Sequence, residues 1–296
     1  MLTYSEGTGA GAGAGFAPLQ QKLHDLGWVV GQNLVIESRH AGGSNEGFAA
    51  AAEELVRIKV DVILPFGGPA SLDAARNATK SIAIVAPGFA PNLAGRGIVQ
   101  SLARPGGNIT GLSFNSEEAP GKRLQLLKEA IPGLTRAGVF HEGFDAAQVL
   151  ASNAEAGRKL GVKITSLEAR APQEFDKAFE LARKSRVGAV LVHGTPMFVG
   201  NREALAGLLI KQRLPSMGSW NYFADSGMLM GYSPDRVDMA RRTAIYVDKI
   251  FRGAKPADLP IELPTKYELA VNLKTARALK LKIPQSFLLR ADRVIE

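Results

Sequence analysis

VDVILPFGGPASLDAARNAT, residues 60–79, is the stretch on which the fold turns. Residues 60–64 are an almost unbroken apolar run, which suits a strand covered on both faces. Pro65, Phe66, Gly67, Gly68 and Pro69 then interrupt it ahead of an alanine-rich helix that takes in Ala70 and Ser71. Proline in the first helical turn has no amide to leave unpaired. Two glycines let the backbone approach a ligand while the first-turn N–H groups point outward. A strand, a loop and a helix N-terminus in this order make a natural seat for a carboxylate or a phosphate. Every parallel α/β sheet has several such junctions and most bind nothing, so the weight comes from repetition along the chain.

The pattern does repeat. Upstream, residues 1–4 read as the end of a strand, followed by Ser5, Glu6 and a Gly/Ala-rich loop to Gly15. Residues 16–26 have helical spacing and stop at Gly27, 33–38 predict a second strand, and 45–58 a second helix. Downstream, 82–86 predict a fourth strand, Pro87, Gly88 and Phe89 a second Pro-Gly loop, and 109–113 a fifth strand. A second series then begins. Helices at 122–131, 146–160, 173–184 and 202–212 alternate with strands at 136–140, 163–167 and 189–192, then with a short segment at 215–219 and a strand at 228–232. A long helix at 235–251, extended runs at 259–263 and 267–272, and helices at 273–279 and 284–291 ahead of residues 293–296 complete the chain.

Two such series predict an α/β protein of two doubly wound parallel-sheet lobes joined by three crossings, near 113–119, 231–235 and 256–264. The expected lobes are 1–115 plus 235–262, and 116–234 plus 263–296, with a cleft between them. Ligands of such sheets gather at the carboxyl ends of the strands. The residues expected there are Ser5, Glu6, Gly67, Gly68, Pro69, Ala70, Ser71, Pro87, Gly88, Asn115, His141, Thr195, Trp220, Asn221 and Tyr222. They are polar, aromatic and glycine-rich, an inventory for holding a small molecule by hydrogen bonds, helix N-termini and ring stacking.

Composition narrows the function. The 296 residues are 46% hydrophobic and 22% charged, as in an ordinary globular protein, and no apolar run is long enough to span a membrane. Cysteine is absent, which excludes disulfides, thiolate metal sites and cysteine nucleophiles, and suits an oxidising compartment. A net charge of +8 raises the question of nucleic acid, but Lys and Arg are scattered among acids, as from Lys122 to Glu129, and form no basic strip. The N-terminus shows no basic segment followed by an apolar core, so no export signal is visible, and the first strand reads as shortened.

No catalytic constellation emerges: there is no P-loop, no G-x-S-x-G elbow and no H-E-x-x-H. His141 and His193 both follow apolar strands and, with Glu142, could be imagined around a metal, but hydrogen-bonding at a cleft or loop end accounts for them as well. The run Gly7-Thr8-Gly9-Ala10-Gly11-Ala12 invites a dinucleotide reading yet ends in alanine, and the next acid at a strand end, Glu37, comes late for the ribose. A flexible loop at a cleft rim explains that run equally.

Four stretches carry a family likeness: LGWVVGQNLVIE at 26–37, SLARPGGNITGLS at 101–113, GAKPADLP at 253–260 and PTKYELAVNLKTA at 264–276. From about Phe16 to the C-terminus the chain resembles the bacterial ABC-transporter substrate-binding proteins of the tryptophan/tyrosine-binding type. The resemblance implies a periplasmic-binding-protein fold of type I with a cleft that closes about a hinge. It also implies a periplasmic location, a permease of the inner membrane as partner, a monomer, no cofactor and no catalysis. The residues 86–92 depart from the Gly-Asp-Pro-Val type of sequence common in that family, and Gly67-Gly68 from its usual Thr-Pro, so the ligand is less defined than the fold. Two other readings stay open: a nucleotide-cofactor enzyme using the Gly-rich loop, and the ligand-sensing core of a transcription regulator, which lacks a helix-turn-helix ahead of Met1.

Overall fold

The apolar run does form a strand, Val62–Phe66, with every residue but Phe66 buried, and the helix after it spans Gly68–Ala78. A computed structural model describes residues 2–5, 10–41, 45–114, 118–143 and 146–296. The chain packs as two units, Met1–Asn115 with Asp235–Lys266, and Ser116–Pro234 with Tyr267–Glu296. It passes between them three times. The last passage falls at Lys266 and Tyr267, later than the 256–264 expected, so residues 263–266 go with the first unit.

The first unit contains β1 (Leu2–Ser5), α1 (Ala10–Asp25), β2 (Glu37–Ser38), α2 (Asn45–Arg57), β3 (Val62–Phe66), α3 (Gly68–Ala78), β4 (Ala83–Pro91) and β5 (Ile109–Phe114). Its sheet has the order β2-β1-β3-β4-β5, parallel throughout. Alternation along β3 sends Val62 and Leu64 to one core, with Leu19, Leu23 and Val85, and Ile63 to the other, with Leu72, Ala75 and Ile84. Burying one such Leu or Ile contributes about 1.5–3 kcal/mol, which is why both faces are covered by helices.

Three local expectations are corrected here. Residues 10–15 are the first turns of α1 rather than a loop, because alanine, the best helix former, offsets the alternating glycines; residues 6–9 lie outside the described residues. The second strand is only two residues long. Pro87, Gly88 and Phe89 lie within β4 rather than in a loop: the strand runs on past a register shift between Pro87 and Pro91, and Gly88 takes φ +87° there.

The second unit begins with α4 (Glu118–Ala130), β6 (Arg136–His141), α5 (Ala146–Leu160), β7 (Lys163–Glu168), α6 (Phe175–Lys184), β8 (Ala189–Val192), α7 (Pro196–Gly200), α8 (Arg202–Lys211), β9 (Ser216–Gly218) and β10 (Met230–Pro234). The chain then returns to the first unit for α9 (Arg236–Phe251). Asp235 caps that helix by accepting the amides of Val237 and Asp238, and Met239, Ala244 and Val247 complete the core above β3. The second unit closes with β11 (Tyr267–Asn272), α10 (Leu273–Ala278), α11 (Gln285–Leu288) and β12 (Arg293–Ile295).

Its seven-stranded sheet has the order β12-β11-β10-β9-β8-β6-β7. β11 runs antiparallel to β10, with Tyr267 opposite Pro234, because the chain re-enters this unit beside the place where it left. One sheet face packs Val139, Leu191 and Met230 against Leu124 and Leu127, and the other packs Phe140, Val190 and Val192 against Phe175, Phe179, Phe198 and Phe223.

Candidate functional site

In the first unit the residues expected at a site gather where β3 ends. Gly67 donates its amide to Ser71 Oγ at 2.9 Å, and that hydroxyl donates to the Gly68 carbonyl at 2.8 Å, so Ser71, fully buried, fixes the entry to α3 from inside. Pro69 is exposed and Ala70 half-buried at the first turn. Each glycine has its own reason. A Cβ at Gly67 would stand 2.7 Å from the Phe48 ring, whereas Gly68 has open space but φ +72°, a conformation L side chains avoid. Ser5 closes β1 in register with Phe66. Glu6 and Asn115 lie outside the described residues.

Three phenylalanines that the sequence reading did not select surround this junction. Phe66 lies 5.9 Å from Phe89 and 6.4 Å, edge-on, from Phe16, and all three rings are half-buried. The signal was present, since Phe66 between Pro65 and Gly67, and Phe89 after Pro87-Gly88, each stand behind an apolar run. Gly88 serves packing instead: a Cβ there would meet the Met239 methyl at 1.9 Å and Leu112 Cβ at 3.2 Å. Pro87 is buried within the strand.

In the second unit, strand ends β6, β8 and β9 bring together His141, Glu142, Thr195 and Trp220. His141 is buried; Gly143 donates its amide to Nδ1 at 3.1 Å, and Nε2 lies 2.7 Å from Ser166 Oγ, so Nε2 carries the proton. Glu142 accepts the Thr195 hydroxyl and the Met197 amide, fastening the start of α7. Asn221 is buried and occupied, its amide donating to Ser233 Oγ at 3.1 Å and its side chain to Glu268 at 2.6 Å. These groups brace the carboxyl ends of the strands in this unit. Among the described residues, no group of three or more His, Asp or Glu is placed to hold a metal ion.

The rings form a ladder at these strand ends. Trp220 and Tyr222 stack at 6.3 Å with planes 6° apart, and Tyr222 stacks on Phe223 at 5.6 Å. Trp220 donates its indole N–H to the Gly194 carbonyl at 3.2 Å, which fixes the ring and leaves its chemistry to the π face. The turn carrying the ladder is held from beneath by Arg123, another residue the sequence did not single out. Its guanidinium is buried and donates to the carbonyls of Ser219 and Tyr232, both at 3.0 Å. Burial pulls its pKa down to about 10, with Tyr267 and Tyr232 nearby opposing the fall.

A profile of the family described as ABC transporter substrate binding protein matches residues 13–295. The chain belongs to that family. This substrate-binding protein is 24% identical over 266 residues to the Tyrosine-binding protein of Clostridioides difficile, covering 88% of this chain and 74% of that one. Among solved structures it is similar to a conserved domain protein from Vibrio cholerae, with TM-score 0.89, 22% identity and coverage of 99% and 98% of the two chains. It is also similar to an ABC domain in complex with L-Trp from Streptococcus pneumoniae, with TM-score 0.85, 20% identity and 99% coverage of each. At these identities the structural likeness carries the fold, type I with two lobes.

Proposed function

We propose that this substrate-binding protein captures a small aromatic amino acid, or a related aromatic carboxylate, and presents it to a membrane permease for import, working outside the cytoplasmic membrane. The observation that carries this reading is the half-buried Trp220–Tyr222 stack, backed by the buried Phe223 and with the indole N–H of Trp220 already satisfied, so that it offers flat π surface to a ring. The names of the relatives, one tyrosine-binding and one bound to L-Trp, support an aromatic ligand.

In this reading the carboxylate sits at the N-terminus of α3, where Gly68 and Ala70 have no intrahelical acceptor for their amides and the helix dipole favours negative charge. The expected binding residues are therefore Gly67, Gly68, Pro69, Ala70, Ser71, Trp220 and Tyr222, with Phe16, Phe66 and Phe89 added. Ligand contacts from both units favour a closed form, and affinity is reduced by whatever free energy separates the open form from it.

Isothermal titration of the purified protein with L-tryptophan, L-tyrosine, L-leucine and glucose tests the reading. An aromatic amino acid should bind, and Trp220→Ala should weaken it about three- to tenfold, as ring stacking adds ~0.5–1.5 kcal/mol. Gly68→Val with Ser71→Ala should weaken it further. Binding of leucine or glucose in preference to both aromatic acids sinks the ligand class; unchanged affinity in the double variant sinks the carboxylate assignment.

A further inference from the structure

A groove of about 870 Å³ opens in the second unit between α4 and α5, at the end of the sheet where β10 and β11 meet. That volume is in the range of small-molecule sites, and the lining mixes polar with apolar surface. Its walls carry Lys122 and Gln125 from α4, Ser152 and Lys159 from α5, and the rings of Tyr232 and Tyr267. Small residues make the room. Gly121 faces Ala156, and a Cβ on Gly121 would make ordinary contact with the Ala156 methyl at 3.6 Å.

Two features distinguish this groove from a chance gap between helices. The first is the aromatic wall. Tyr232 and Tyr267 stack at 5.3 Å with planes 16° apart, presenting a rigid, half-buried plate at the groove's end. The second is its charge. Lys122 has no ion-pair partner among the described residues; Glu129, near enough to feel its charge, is already engaged by Arg290 and Gln125. Lys159 is paired with Glu155 at 2.8 Å, which leaves the lining with a net positive charge. Behind the tyrosine plate stands Arg123, buried, hydrogen-bonded to the carbonyls of Tyr232 and Ser219 and without a carboxylate partner among the described residues. A buried cation without a carboxylate is costly, and an anion seated nearby offsets that cost.

We infer that the α4–α5 groove is a second small-molecule site, for a planar aromatic carboxylate whose ring lies on the Tyr232–Tyr267 plate and whose carboxylate meets Lys122. It belongs to one unit alone. It is separate from the Trp220 ladder, and it stands whether or not the proposed transport ligand is right.

The probe is 4-fluorobenzoate, with neutral 4-fluorobenzyl alcohol for comparison, followed by fluorine NMR line broadening on the full chain. Four proteins are compared: wild type, Trp220→Ala, in which the aromatic ladder no longer competes for the probe, and Trp220→Ala combined with Lys122→Gln or with Ala151→Trp, which fills the groove from an exposed position, with circular dichroism melts to show that each is folded. Trp220→Ala should still bind 4-fluorobenzoate, adding Ala151→Trp should abolish that binding, and adding Lys122→Gln should weaken it about tenfold or more through loss of a charge-assisted hydrogen bond. The alcohol should bind more weakly than the acid. The inference is overturned if Trp220→Ala does not broaden the probe at millimolar concentration, or if adding Ala151→Trp leaves its binding unchanged. Equal binding of acid and alcohol overturns the anionic class.

Discussion

Replacing Gly231 by alanine tests how rigidly the aromatic ladder is held. Gly231 lies in β10 directly beneath the turn that carries Trp220 and Tyr222. A methyl group there would stand 2.3 Å from the Trp220 carbonyl oxygen, 2.6 Å from that of Asn221 and 2.8 Å from Asn221 Cα. These are backbone atoms, which cannot swing aside as a flexible side chain would. Relief requires the turn to lift by the better part of an ångström. Arg123 on the Ser219 carbonyl, Ser233 on the Asn221 amide and Glu268 on the Asn221 side chain all resist that movement. Overpacking costs about 1–3 kcal/mol and loss of one of these bonds about 1 kcal/mol more, so the expected destabilisation is about 2–4 kcal/mol.

Gly207→Ala is the matched control. It adds the same methyl in α8, where nothing lies within 4 Å, and a gain of up to about 1 kcal/mol is expected from helix propensity. Both variants are made in a Trp28→Phe background, which leaves Trp220 as the single tryptophan of the two in the chain. Urea unfolding gives the stability, and native-state emission reports the indole's surroundings. The two variants should differ in midpoint, and only Gly231→Ala should shift the emission. If they unfold at the same urea concentration with the same emission, the turn is not held as described and the ladder cannot be a preset stacking surface.

Two further outcomes follow from the same geometry. Gly88→Ala combines a left-handed backbone with a clash against Met239, so about 2–4 kcal/mol should be lost, and adding Met239→Ala should cost less than the two single losses together; additivity in urea unfolding would refute the contact. Glu262 answers to pH. Burial alone would raise its pKa, but hydrogen bonds from Arg242 and Tyr246 outweigh burial and hold it below the usual 4.5. Its contribution is therefore present above pH 4.5 and lost as the pH falls through the folded value, so the stability difference between wild type and Glu262→Gln should vanish in acid; with a side chain 43% exposed, it is at most about 1 kcal/mol.

The sequence displayed most of the architecture because central strands such as β3, β6 and β8 are buried on both faces. Residues 189–192 and 267–272 are strands over the whole predicted span, each bounded by turn or charged residues. Misreadings occurred where one local signal outweighed another. Glycine at 11, 13 and 15 suggested a loop although the intervening alanines carry the helix, and Pro87 suggested a break although β4 continues beside β5. At the candidate site, residue types were legible and partners were not. His141, Thr195 and Asn221 were chosen as polar groups at strand ends, yet each is engaged by a residue distant in sequence: Ser166, Glu142 and Glu268. Buried polar groups must be satisfied, and nothing local announces by whom. Arg123 gave no signal at all, lying in a helix among other charges.

The triple passage of the chain has a consequence for assembly. The first core lacks Met239, Ala244 and Val247 until α9 has been made, and the second sheet ends at β10 until residues 267–296 arrive. A fragment ending at Pro234 would leave one core uncovered and one sheet with an open edge, both aggregation hazards. Neither half is therefore an autonomous folding unit that could be excised as a contiguous segment. During synthesis both must wait for the last quarter of the polypeptide, and the non-local pairing this imposes makes folding intrinsically slow.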